Sequence, residues 1–134
     1  MIPKVMEIWG TKDMDEFINL GDGTPAPDFA ALAPAIHELA DAGDAVAVCT
    51  LRQAAVDLVG FVLLVRSKLR RKHGITGEVP VAWTGSVIAK MDLVRDQFFA
   101  GLQAAAPGMP VGTEEVVALK GAIWRAERIA KAVR

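Results

Sequence analysis

The chain has 134 residues, of which 52% are hydrophobic and 23% charged, and its formal net charge is −1. That length is room for one domain, and a chain so apolar and so nearly neutral buries enough surface to offset ordering, which excludes disorder. Twelve glycines, seven prolines and one cysteine exclude collagen, coiled-coil arrays and disulfide scaffolds.

The pattern predicts a short helix over 13–20, ended by the Gly21-Asp22-Gly23 turn. A second helix opens after Pro25 and Pro27 with Asp28 as its cap; Phe29, Leu32, Ala33, Ile36, Leu39 and Ala40 recur at steps of three and four up to Gly43. Asp44 caps a much longer helix over 44–72, with Val48, Leu51, Ala55, Leu58, Val62, Val65 and Leu69 on one face and Ala47, Ala54 and Phe61 adding a second stripe. The period then changes to extended: residues 79–83 read as a buried strand between Gly77 and Gly85, with Pro80 near its start. A helix follows Asp92, with Leu93, Val94, Phe98, Phe99, Leu102 and Ala105 on its face, and Pro107-Gly108 ends it. Residues 109–112 read as a second short strand. A last helix over 116–133 takes Thr113 as cap, with Glu114 and Glu115 near its positive end.

This order of helices and two strands joined by a crossover helix predicts an α/β chain with a short parallel sheet. Two strands are marginal by themselves, so the strands are expected to pair across a dimer or with strands lying elsewhere. The longest uninterrupted apolar run, residues 58–65, falls well short of the roughly 20 residues of a spanning helix. The first ten residues hold no apolar core of signal-peptide length. The expectation is a cytoplasmic chain with no membrane span, for which a lone Cys49 is suited.

Charge is unevenly spread: residues 1–44 carry −7 and the remainder +6. The densest cations, Arg66, Lys68, Arg70, Arg71 and Lys72, close the long helix, where they oppose the negative end of its dipole. With a pI near 6.1 and no interleaved aromatics, a solvated helix end is expected there rather than a nucleic-acid face.

Chemistry concentrates at Thr84-Gly85-Ser86, where the first strand's carboxyl end emerges and open α/β sheets place ligands. Gly85 lets a ligand approach the main chain, and Thr84 and Ser86 offer hydroxyls. An ordinary strand-to-helix turn would use the same residues. Asp22-Gly23-Thr24 reads as a turn and not a phosphate loop, and no lysine-bearing phosphate-loop motif occurs. His37 and His73 are far apart without spaced partners, so both read as helix-surface histidines and no metal site is expected. Cys49, among Ala47, Val48 and Leu51, reads as a buried inert thiol.

Three passages carry a likeness: Phe29-Ala-Ala-Leu-Ala-Pro-Ala-Ile-His-Glu-Leu-Ala-Asp-Ala-Gly-Asp-Ala-Val-Ala47, then Val79-Pro-Val-Ala-Trp-Thr-Gly-Ser-Val87, then Ala118-Leu-Lys-Gly-Ala-Ile-Trp124. In this order and spacing, residues 28–125 resemble the C-terminal part of the BadF/BadG/BcrA/BcrD ATPase family. That family includes N-acetylglucosamine kinases and belongs to the sugar kinase, heat-shock protein 70 and actin superfamily. The resemblance implies a helix-rich partial actin-like ATPase (ribonuclease H-like) domain, with residues 1–134 as the latter half of its C-terminal lobe.

It further implies that Thr84, Gly85, Ser86 and Gly121 lie beside the adenosine of ATP. Where the family carries a second glycine this chain has Ser86, which would crowd the nucleotide or donate to it. Phosphoryl transfer also needs positioned phosphates, Mg²⁺ and a carboxylate facing the attacking hydroxyl. The family supplies these from glycine-rich hairpins of its first lobe, which this sequence lacks. The chain is therefore expected to contribute a nucleotide wall to a hexosamine kinase and to be inactive alone, with ATP and a sugar as partners of the complete enzyme. A cysteine-ligated iron-sulfur activase branch also belongs to the family and finds only Cys49 here. The alternative is a non-catalytic helical module that dimerises.

Overall fold

A computed structural model describes residues 1–132. Helix dominates it, in the order α1 (Ile2–Trp9), α2 (Met14–Gly21), a 3₁₀ turn (Ala30–Leu32), α3 (Ala33–Asp41), α4 (Ala45–His73), α5 (Ser86–Lys90), α6 (Asp92–Ala105) and α7 (Ala118–Ala132). Two compact units divide the chain within α4, Met1–Val56 and Asp57–Arg134.

In the first unit α2, the 3₁₀ turn and α4 start where an aspartate accepts from their free N–H groups, whereas α1 has no side-chain cap. Asp13 accepts from Glu16 N at 2.8 Å, and the Glu16 carboxylate accepts from Lys12 N at 2.8 Å. Asp28 accepts from Ala30 and Ala31 and opens the 3₁₀ turn that leads into α3. Asp44 accepts from Val46 and Ala47 and also takes the Met1 ammonium at 2.6 Å. These contacts, the ammonium first, hold the Asp44 carboxyl below its ordinary range. Gly43, at φ 86°, turns the chain from α3 into α4, a conformation that costs glycine nothing. Trp9 meets Phe17 and Phe29 at centroid distances of 5.4 and 5.2 Å, and Val5, Leu32, Ala35, Ala47, Leu51 and Ala55 are buried. Helix α1 has no counterpart in the sequence reading; Pro3 in its first turn and Gly10 in the left-handed region mark its two ends.

In the second unit α6 buries Val94, Phe98 and Leu102, one residue per turn, together with Ile88, Met91, Ala106 and Met109. Gly101 lets α6 approach α4 closely: a Cβ there would lie 2.9 Å from Val59 Cγ2.

The expected parallel sheet is absent, and with it the α/β class and the partial actin-like lobe. Among the described residues there is no strand, only one parallel bridge between Val81 and Val111. Val81 donates to Pro110 at 2.8 Å and accepts from Gly112 at 2.9 Å; the next bond, Val116 N to Trp83 O at 2.9 Å, comes only after residues 113–115 have looped out. Pro80 and Pro110 each lack the N–H a longer ladder requires. The expected strand over 79–83 is therefore not formed: only Val81 is bridged, and the segment belongs to a helical fold.

Two boundaries also move. Helix α7 begins at Ala118 rather than 116, and Val133, the expected end, lies outside the described residues. Its residues through Lys131 are all exposed. The long helix runs over Ala45–His73 as expected, but burial on its predicted face stops early: Leu58 and Val62 are half-buried and Val65 is 54% exposed. Over its 29 residues α4 is also long and apolar enough to cross a membrane by length and composition, with an 18-residue window of mean hydropathy 1.8. The uninterrupted apolar run is short because Asp57 and Arg66 bound it, yet neither breaks the helix.

Candidate functional site

The bend at 84–86 is built from both sides. Trp83 anchors it: the indole stands edge-on to Phe99 at 6.0 Å and donates through Nε1 to Gly112 O at 2.8 Å. Gly85 then adopts φ 114°, ψ 148°, a region closed to other residues without strain, and its carbonyl accepts from Ala89 at 3.0 Å to start α5. No heavy atom lies within 4 Å of a Cβ placed on Gly85, so the bend is open to solvent.

One carboxylate oxygen holds the bend's donors. Glu115 Oε1 accepts from Thr84 Oγ1 at 3.1 Å and from Gly85 N at 3.2 Å. Sequence reasoning assigned Glu115 to the positive end of the last helix. The structure instead starts that helix three residues later and turns Glu115 back onto a bend thirty positions away. Hydrogen bonds to charged acceptors are the stronger kind, which favours this placement over a dipole contact. No local sequence signal distinguishes the two.

Ser86 is the first residue of α5 and is exposed. Gly121 lies in the first turn of α7, also exposed and with no atom within 4 Å of an added Cβ. Among the described residues no hydrogen bond links it to the bend. The structure therefore joins Thr84 and Gly85 through Glu115 and leaves Gly121 outside that network.

The remaining candidates take ordinary positions. The cations at the end of α4 are organised in part by Glu78, which accepts from Arg66 Nε at 3.0 Å and Arg70 Nη2 at 2.6 Å. The Arg66 hydrogen bond, then the charges of Arg66 and Arg70, hold the Glu78 carboxyl below its usual range. His37 Nδ1 lies 3.6 Å from Asp41 on α3, and His73 ends α4 exposed. Cys49 is exposed, not buried: Ala47 and Leu51, four residues apart, share the buried face of α4, and Cys49 between them in sequence points to the opposite side.

Glu115, with Glu114 next to it in sequence, places negative charge at the bend, which disfavours an anionic group there. For Mg²⁺ the chain offers no ligand set: among the described residues no three His, Cys, Asp or Glu side chains cluster. Comparison with family models, with curated proteins and with solved structures returns no match.

Proposed function

We propose that this chain is the nucleotide-binding, adenosine-side portion of a cytoplasmic ATP-dependent sugar kinase acting on N-acetylglucosamine or a related hexosamine, and is not catalytic alone. One observation carries the reading. The two passages that the resemblance assigns to the adenosine side, 79–87 and 118–124, are far apart in sequence, yet the loop entering the second is hydrogen-bonded to the bend of the first at Trp83, Thr84 and Gly85. The open backbone at Gly85 supports close approach of a flat ligand. In this reading the chain's residues bind and orient the nucleoside. Phosphates, Mg²⁺ and sugar meet groups on another polypeptide segment, and Mg²⁺ there supplies charge stabilisation of the transferring phosphoryl group.

The test is calorimetric titration with Mg-ATP of the chain alone and of the chain joined to the polypeptide that completes the enzyme. Ser86→Trp is expected to abolish nucleotide binding while leaving the circular dichroism unchanged. Indifference of the complete enzyme to Ser86→Trp overturns the site, and turnover by the isolated chain overturns the assignment of the reactive groups elsewhere.

A second reading, a self-associating helical module, is favoured by the uncovered apolar side chains of α4 and α7: Phe61 is 63% exposed, Leu119 67% and Trp124 58%. Sedimentation equilibrium checks it; a concentration-independent monomer contradicts it.

A further inference from the structure

The extended segment at residues 79–83 uses one of its two backbone edges. Val81 bonds to Pro110 and Gly112, and Trp83 to Val116, so the odd positions face a neighbour already in place. The Pro80 carbonyl, both backbone groups of Ala82 and the Thr84 N–H therefore point the other way. Among the described residues none of these has a hydrogen-bond partner. Beside this edge runs an apolar groove of about 310 Å³, lined by Phe61, Val65 and Leu69 of α4 and by Val81 and Met109. Phe61 and Val65 are more than half exposed, as a covered core would not leave them.

We infer that the groove and the free edge together dock one extended, apolar segment of a partner polypeptide, with an acidic residue at the end that meets Arg66 and Arg70. Backbone groups repeating every two residues, about 6.6–6.8 Å, are matched only by another extended chain. Alternate side chains of that segment fill the groove while its main chain pairs with Ala82, the mode of strand addition. Pro80 offers no donor, so the pairing centres on Ala82 and Thr84. Arg66 and Arg70 share the single carboxylate of Glu78, and the positive charge left over sets the polarity of the partner. The inference goes beyond both readings above, since it needs neither a nucleotide nor a second copy of the chain.

The test titrates the ¹⁵N-labelled chain with the capped peptide Asp-Val-Thr-Val-Thr-Val and with two N-methylated versions that block its odd or its even amides. The expected result is at least tenfold slower hydrogen exchange at the Ala82 amide, with shifts confined to 61–69 and 79–84. One N-methylated version should bind at least tenfold more weakly than the parent, as should the parent to Val65→Asp, an exposed substitution that leaves the helix intact. Equal binding of all three peptides overturns the proposal, as does the absence of shifts at 80–84. Protection of Ala82 that grows with the concentration of the chain alone also overturns it, because a second copy then occupies the edge.

Discussion

Glycine to alanine changes at positions 60 and 101 should move stability in opposite directions. Both residues lie inside long helices, α4 and α6, where alanine is favoured over glycine by about 1 kcal/mol. At Gly60 a new Cβ meets nothing within 4 Å, so the full propensity gain is expected. At Gly101 it would stand 2.9 Å from Cγ2 of Val59, a contact real Cβ atoms essentially never make. Valine is β-branched and stiff at χ1, so relief requires a helix shift; such overpacking costs about 1–3 kcal/mol. Set against the propensity gain, Gly101→Ala loses up to about 2 kcal/mol and Gly60→Ala gains about 1 kcal/mol. For a chain of this size 1 kcal/mol moves the Tm by about 3–5 °C. Urea and thermal unfolding of both variants measure this, and Val59→Ala/Gly101→Ala should recover most of the loss at 101. If Gly101→Ala stabilises as much as Gly60→Ala, the close approach of α4 and α6 is wrong.

Leu102→Ala should be the most damaging truncation in α6: at 1% exposure, emptying its site costs about 2–5 kcal/mol, readable as a lower urea midpoint. Glu78→Gln should flatten the acid limb of the stability curve. Its carboxyl is held below its ordinary value, so the stabilisation is complete above about pH 4.3 and is lost as pH falls through the lower folded value; an unchanged limb contradicts the clamp. Cys49 should react with a thiol reagent in the native chain at nearly the unfolded rate, and strong protection would contradict its exposed position. Glu115→Ala should leave the fold intact while raising hydrogen exchange at the Gly85 amide, whose acceptor it removes.

Local chemistry made most of the helices legible. Asp13, Asp28 and Asp44 sit where free N–H groups need acceptors, and Gly43 sits where the chain must turn left-handed, so α2, α3 and α4 begin or end near their expected places. Tertiary pairing was not legible. Residues 79–83 are a short apolar run between Gly77 and Gly85, as in a buried strand, but whether such a run joins a sheet depends on neighbours. Here Pro80, Pro110 and the loop at 113–115 leave room for one bridge. The candidate site divides the same way. Thr84 and Gly85 could be singled out because hydroxyls and glycines at a strand end are a local pattern. Glu115 could not, because its partners are thirty residues away and Thr-Glu-Glu reads equally well as a helix start.

Nuclear magnetic resonance mapping of adenosine nucleotides onto the labelled chain probes the central claim, that the bend at 84–86 receives the nucleoside. Shifts from Mg-ATP and from uncharged adenosine alike, centred on the amides of residues 83–86 and 115–121 and lost in Ser86→Trp, are the predicted result. Shifts that require the phosphates, or that fall away from Gly85, would contradict it.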